Sequence, residues 1–320
     1  MGTPLNMNYE CIDVSGWHKF VEPTKGSREK QWILKPLEGK SHEVEFYLFK
    51  ESNKRYPAEF WAEIVASAVG ELVGVTVPET FCAKLDDKYA ALVKFFLKIE
   101  WDPNQKRFGQ LDTLFHGGDL IMGLDPAFDR KVGDKHNIFL VERIFSEMVP
   151  NNLFDQFLKI LIFDTLIGNT DRHQDNWGFI QDNKTNEMNL APAFDNSTSL
   201  GSELIEQKIA GYLDRGKVQL RQYIKKGKAH IRWSDNGTDL VRLNHFDLLA
   251  KIAADAAKRK IIVEHVQAMT LFTDNQIENI LSDYGKIEVD IPIYRLSDTR
   301  RELMKSIICL RRDLLKEQFN

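Results

Sequence analysis

The chain has 320 residues, enough to bury a large core as one big domain or as two lobes, and the pattern below favours two lobes around a cleft. Its 43 Lys plus Arg against 47 Asp plus Glu leave a net charge of −4, which gives no general electrostatic drive toward nucleic acid or an anionic membrane. The three cysteines, Cys11, Cys82 and Cys309, lie far apart without the spacing of a zinc site or disulfide framework, and no stretch approaches the roughly 18 apolar residues of a membrane span. The N-terminus has neither a basic start nor an apolar run, so a cytoplasmic protein is expected.

Residues 11–50 predict short strands separated by turns around Pro23 and Pro36, the third strand, 44–50, ending on Lys50. Residues 57–73 place Phe60, Ile64, Val65, Ala68 and Leu72 at helical spacing, with Pro57 near the start and Gly74 just past the end, and predict a helix. Strand character returns over 75–83 and 89–97, with Asp86 and Asp87 in the turn between. Beyond residue 100 the pattern turns helical, after a loop-rich section over 102–134 that includes Gly117 and Gly118. Helices are predicted over 139–148 and 153–166, a strand over 177–180, and mostly helix from 247 onward. The last helix, 298–317, carries Leu303, Ile307, Leu310 and Leu314 on one face. The expected fold class is α+β: a small, mainly β N-lobe with one helix (1–100) and a larger, mainly α C-lobe (101–320).

The chemistry is concentrated where the second of these helices ends. In the run from Gly168 to Gly178, Asp171 precedes Asn176 by five positions, and Asp195 follows across a polar hairpin over 181–187. A carboxylate, an amide and a second carboxylate are hard oxygen donors that suit Mg²⁺ far better than zinc. Phosphoryl transfer needs that ion on the phosphates, a cation on the nucleotide and a group that orients the attacking hydroxyl. Asn176 and Asp195 are the candidate metal ligands and Asp171 the candidate catalytic carboxylate. His173 is either a hydrogen-bonding residue of the loop or a second catalytic group that meets the transferring phosphate. Arg172 is either a partner for an anionic group or half of a buried ion pair that fixes the loop.

Lys50, with Glu63 on the following helix, is the candidate nucleotide-contacting pair, and Lys35 competes for the lysine role. Gly26, Ser27 and Arg28 lie between the first two strands, where a nucleotide-covering loop would sit, although a bare hairpin turn fits the same residues. No G-x-x-x-x-G-K-[ST] occurs, which argues against a P-loop NTPase. Residues 215–232 gather Arg215, Lys217, Arg221, Lys225, Lys226, Lys228 and Arg232, readable as a docking surface or as solvated helix surface.

The run Gly168-Asn169-Thr170-Asp171-Arg172-His173-x-x-Asn176-Trp177-Gly178, followed by Ala191-Pro192-x-Phe194-Asp195, resembles the HipA-like kinases, bacterial serine/threonine kinases best known as toxins of toxin–antitoxin pairs. Its Asp-Arg-His-x-x-Asn core is also similar to that of phosphatidylinositol kinases. The likeness extends to Gly26-Ser27-Arg28-Glu29-Lys30-x-Trp32, Tyr47-Leu48-Phe49-Lys50 and Trp61-Ala62-Glu63, and spans roughly residues 20–240. It implies a two-lobed kinase fold with ATP and Mg²⁺ between the lobes, Asp171 as catalytic aspartate, Asn176 and Asp195 as metal ligands, and Lys50 on ATP. It further implies a protein substrate with a Ser or Thr acceptor, and autophosphorylation with Ser27 or Thr24 as acceptor. The full toxin has an extra N-terminal subdomain that contacts an antitoxin, whereas only about twenty residues precede the nucleotide loop here. The chain therefore resembles a compact, kinase-only member, with an antitoxin as a partner to test and no direct nucleic-acid or membrane binding expected. A lipid or small-molecule kinase and a non-catalytic pseudokinase binding module are the rival readings.

Overall fold

The computed structural model describes residues 9–20, 30–35, 45–102, 107–149, 153–213 and 218–319. The predicted nucleotide loop with Gly26, Ser27 and Arg28, together with Thr24, Arg215 and Lys217, lies outside these residues.

The first half is built on a six-stranded sheet of β1 (Cys11–Asp13), β2 (His18–Phe20), β3 (Lys30–Leu34), β4 (Phe46–Lys50), β5 (Thr80–Leu85) and β6 (Lys88–Lys94). The spatial order is β1-β5-β6-β4-β3-β2, with β1 parallel to β5 and the other pairs antiparallel. The two-residue turn Asp86-Asp87 joins β5 to β6, Asp86 taking a left-handed φ of 56° that aspartate tolerates better than most residues. The β1–β5 register sets Cys11 opposite Cys82, so two thiols distant in sequence are neighbours, and both are free.

Period-2 alternation sorts this sheet into two faces. Val14, Ile33, Tyr47, Phe49, Leu85 and Leu92 close a small core on one of them. On the other, Cys82, Tyr89 and Ala91 pack under α1 (Phe60–Leu72). That helix is apolar nearly all round, because it is sandwiched between the sheet and the helical half. Its Trp61 is fully buried and donates its Nε1–H to the Tyr294 carbonyl at 2.8 Å. The larger core thus runs without a break from α1 into the helices beyond residue 138. Gly74, at φ 71°, turns the chain just past the helix end.

The section over 102–134 departs from the loop-rich expectation. It holds a hairpin of β7 (Ile99–Asp102) and β8 (Arg107–Gln110), then β9 (Asp112–His116) and α2 (Gly117–Leu124). The strand β9 pairs antiparallel with β10 (Gly178–Asp182), which in turn pairs with β11 (Met188–Leu190). A five-residue strand whose partner lies more than sixty positions away leaves little local trace. Gly117 and Gly118 do not break the chain here. They begin α2 because that helix end is pressed against residues 174–177: the two glycine N–H groups donate to the Trp177 and Gln174 carbonyls, each at 2.8 Å.

The remaining helices form the second half: α3 (Ile138–Glu147), α4 (Leu153–Ile167), α5 (Glu206–Leu213), α6 (Val218–Lys226), α7 (His245–Ile252), α8 (Ala256–Met269), α9 (Asp274–Gly285) and α10 (Asp298–Phe319). A two-stranded ribbon, β12 (Lys228–Trp233) and β13 (Val241–Asn244), is inserted between α6 and α7. On α10 Leu303, Ile307 and Leu310 are buried as predicted, joined by Arg300 and Arg311, which the apolar stripe did not signal. No described helix is long and apolar enough to cross a membrane.

These close approaches can be tested on single glycines. A Cβ on Gly117 would stand 2.3 Å from the Trp177 ring, and one on Gly178 would stand 2.2 Å from the Phe115 carbonyl oxygen. Gly117→Ala and Gly178→Ala should each lower the unfolding free energy by roughly 1–3 kcal/mol in urea titration. Gly211→Ala, where nothing lies within 4 Å of the added methyl, should instead hold or raise it.

Candidate phosphoryl-transfer site

Lys50 closes β4, and alternation along the strand carries its side chain to the face that α1 partly covers. Its ammonium is buried, 2.5 Å from Glu63 Oε2 and 2.8 Å from Asp195 Oδ1. Burial alone would lower its pKa. The Asp195 and Glu63 carboxylates outweigh that and push it up to about 12, so the lysine is a fixed cation. Glu63 is held at both oxygens, since Oε1 accepts the Asn196 backbone N–H at 2.8 Å. Sheet, helix and the loop after β11 therefore meet on one carboxylate. The competing Lys35 pairs with Glu45 at 3.0 Å.

The loop after α4 is organised by Arg172, which is almost wholly buried. Its Nε and Nη2 grip both oxygens of Asp164 at 3.0 and 2.7 Å, a bidentate pair reaching back onto α4. Nη2 also donates to Asn196 Oδ1 at 2.6 Å, while Nη1 donates to the Asn176 carbonyl at 2.8 Å and to the Phe194 carbonyl. Burial works against this charge, and Asp164 more than compensates, holding the guanidinium above its ordinary pKa. Of the two readings of Arg172, the structure thus has the buried ion pair that fixes the loop.

Around this clamp the oxygen donors are set in place. Asn169 donates to Asp164 at 3.1 Å and accepts the Asp171 N–H at 3.0 Å, while Asn176 Nδ2 donates to the Asp171 carbonyl at 2.8 Å. With its amide nitrogen so engaged, Asn176 has Oδ1 as the atom for a cation. Asp195 sits at φ 57°, a left-handed conformation rare outside glycine, and its side chain is a quarter exposed. Its Oδ1 accepts from Lys50 and, at 3.3 Å, from the Ser197 hydroxyl. Phe194 stacks on Phe96 with ring centroids 5.4 Å apart, tying this loop to the segment that follows β6. No group of three or more His, Cys, Asp or Glu among the described residues could cage a metal. One carboxylate plus one amide is a sparse donor set, which could hold only an ion that takes most of its ligands from elsewhere, as Mg²⁺ does from phosphate and water.

His173 Nδ1 accepts the Asp175 N–H at 3.1 Å, a bond within the loop itself. Its ring meets His230 edge-on at 5.8 Å, and His230 lies 6.0 Å from His136, whose Nε2 accepts the Trp177 indole N–H at 3.1 Å. His245, also buried, donates from Nε2 to the Asn169 carbonyl at 2.6 Å. Sequence reasoning missed the supports Asp164, Asn169, Asn196 and His245. For Asp164 a signal existed: an acid within the apolar stretch 160–167 that closes α4, apart from Asp155 in the first turn.

Two measurements follow. Arg172→Ala leaves Asp164 buried and unpaired and should cost roughly 3–5 kcal/mol in urea unfolding. The histidines set a pH dependence. Burial, with neighbouring cations, lowers His245 to about 3, His230 to about 4 and His136 well below its usual value, so all three fold as neutral rings. Unfolding exposes them at about 6.5. Their contribution is full above that pH and is lost as pH falls from 6.5 toward the folded values. A buried ring of this kind gives a slope of about 1.4 kcal/mol per pH unit. Denaturant midpoints between pH 7 and 5 should show it, and His245→Gln should flatten it.

Comparison with known proteins places this geometry. The model of the HipA-like C-terminal domain matches residues 6–272. The serine/threonine-protein kinase CtkA of Helicobacter pylori strain J99 is 31% identical over 195 residues, which cover 60% of this chain and 54% of that protein. The aligned segment therefore spans about half the length of that relative. The crystal structure of the Helicobacter pylori proinflammatory kinase CtkA superposes with a TM-score of 0.72 over 97% of both chains at 19% identity. HipA from the Shewanella oneidensis MR-1 complex of HipA, HipB and operator DNA does so at 0.57, over 91% of this chain and 65% of that one, at 13% identity. The fold is thus the two-lobed, kinase-like one that the sequence led us to expect, and the chain belongs to the HipA-like C-terminal domain family.

Proposed function

We propose that the protein is an ATP- and Mg²⁺-dependent protein serine/threonine kinase, with its lobes dividing near residue 100. The observation that carries this reading is Lys50, a buried cation bridging Glu63 and Asp195. A lysine so charged and so placed would contact the nucleotide phosphates. The sheet face that bears it supports the same reading. The β3–β4 and β4–β6 registers set Trp32 opposite Leu48 and Leu48 opposite Val93 on that face, with Leu34 and Phe46 beside them, an apolar platform for a nucleotide base.

Asn176 Oδ1 and the Asp195 carboxylate would hold Mg²⁺, which when bound supplies charge neutralisation on the phosphates. Asp171, held by Asn169 and Asn176 through its backbone, would orient the acceptor hydroxyl and receive its proton. His173 would keep this loop in shape through its bond to Asp175. Arg172 positions three of these groups through the backbone and touches no reacting atom. Catalysis would come from placement and fixed charge. The likeness of fold to HipA of a toxin–antitoxin complex supports testing an antitoxin partner.

Asp171→Ala and Asp195→Ala should keep the fold by circular dichroism and lose transfer of labelled γ-phosphate to lysate proteins by at least about 100-fold. Comparable labelling by wild type and both variants would overturn the assignment. Calorimetry separates the non-catalytic reading: Mg²⁺-dependent ATP binding is expected for wild type, and its absence would favour a scaffold.

A further inference from the structure

Two thiols meet at one border of the six-stranded sheet. The strand β1 is its edge, and the parallel register sets Cys11 directly beside Cys82 of β5, with both side chains on the same face. Adjacent strands lie about 4.8 Å apart, inside the roughly 4.4–6.8 Å between Cα atoms that a disulfide spans. Both thiols are free, but their surroundings differ: Cys11 is half-buried, while Cys82 is fully buried under α1 beside Tyr89 and Ala91. The third cysteine, Cys309, is buried on α10 in the other half of the chain.

The pair is also chemically unequal. The Cys82 thiol hydrogen-bonds to the Cys11 sulfur and lowers its pKa, helped by Lys84 and opposed by burial and by the Asp13 and Asp290 carboxylates. The same hydrogen bond, together with burial, raises Cys82. Cys11 is therefore the sulfur that an oxidant can reach and that more readily forms the attacking thiolate. Cys82, in contact with it, keeps its proton and can supply the second sulfur.

Their place in the fold gives such a bond a consequence. The strand β1 pairs with the sheet over three residues only, so it is weakly held. The rung that joins Cys11 to Cys82 continues through Ala91 of β6 to Lys50 of β4. The chain between the two thiols, residues 12–81, contains β2, β3, β4 and α1, and with them Lys50 and Glu63.

We propose that Cys11 and Cys82 are a reversible oxidation site that closes to a disulfide under hydrogen peroxide and fastens β1 to the sheet beneath α1. The Cys11 thiolate attacks one peroxide oxygen, the O–O bond breaks and hydroxide leaves, so Cys11 becomes a sulfenic acid. The Cys82 sulfur then attacks the Cys11 sulfur. The S–S bond forms, the S–O bond breaks, and the second oxygen leaves as water with the Cys82 proton. Two thiols are oxidised by two electrons in all, the peroxide is reduced to two waters, and a dithiol reductant reverses the bond. The inference goes beyond the kinase reading and does not depend on it.

The test exposes the reduced full chain to hydrogen peroxide, alkylates it in urea and reads intact mass and peptide map. Two of the three thiols should be protected from alkylation, with a loss of about 2 Da and one bridge between the peptides of Cys11 and Cys82, all reversed by dithiothreitol. The oxidised chain should melt several degrees higher, because the bridge restrains the unfolded chain. Cys309→Ser should behave as wild type. Cys82→Ser should stop at the Cys11 sulfenic acid, about 16 Da heavier and reactive toward dimedone. Cys11→Ser, a change at a half-buried edge position, should form no bridge and keeps the comparison readable if Cys82→Ser fails to fold. Three alkylated thiols after peroxide overturn the proposal, as does a bridge to Cys309 or to a second chain. So does Cys11 advancing to the sulfinic acid while Cys82 stays reduced. An unchanged melting temperature in the bridged chain overturns the fastening of β1.

Discussion

The site depends on one buried guanidinium. Arg172 touches α4, the loop after it and the loop after β11 at once, through Asp164, the Asn176 carbonyl, the Phe194 carbonyl and Asn196. Loops have no helix or strand ladder to satisfy their carbonyls, so the donors must come from elsewhere. A guanidinium supplies five in a rigid plane. Desolvating it is expensive, and an apolar replacement of similar volume could be as stable. What such a replacement could not do is set the relative positions of Asp171, its own chain neighbour, Asn176, whose carbonyl it holds, and Asp195, which lies between Phe194 and Asn196, both held by it.

The second constraint lies across the cleft. Glu63 accepts Lys50 at one oxygen and the Asn196 N–H at the other, so a single side chain on α1 sets the sheet lysine against the loop of Asp195. Asp195 takes a left-handed backbone conformation at φ 57°. Such residues cost about 1–3 kcal/mol and persist where their surroundings over-determine them. Here the determinants are in view: Arg172 on the Phe194 carbonyl, Phe96 against the Phe194 ring and Glu63 on the next N–H. The turn leaves a partly exposed carboxylate against Lys50 while its neighbours on both sides stay fixed.

Legibility in the sequence followed the range of the interactions. The helix at α1 was readable because its apolar spacing, Pro57 and Gly74 are all local. Asp171, Asn176 and Asp195 were readable because oxygen donors at that spacing are uncommon between an apolar helix and an apolar strand. The strand β9 was not, since its pairing with β10 is made across the whole of α2, α3 and α4. Gly117 and Gly118 read as breakers because composition carries no record of the Trp177 ring that excludes a Cβ. Arg300 and Arg311 looked like ordinary surface charges of a long helix. Only the packed structure shows Arg311 donating to the Thr165 carbonyl at 2.7 Å, under the very end of α4. Arg232 and Arg242 escaped for a related reason: their pairing is a matter of strand register, and residues 215–232 drew notice only as a run of bases.

The two sides of the loop after α4 are therefore built on opposite electrostatic plans. Toward the sheet, the Lys50 cation is matched by two carboxylates, and Asp195 also has Lys30 4.0 Å away. A matched cluster of this kind has little net field of its own. Toward the ribbon, Arg232 and Arg242 donate to backbone carbonyls, whose dipoles orient the guanidinium groups, with no bidentate carboxylate of the kind Arg172 has. Repulsion between them opposes folding, and the close packing of Ala229 and Ile231 behind the ribbon is what holds them together. The Asp171 carboxylate attracts Arg242, so the ribbon and the loop after α4 are joined by charge as well as by the bond from Arg242 to the Thr170 carbonyl.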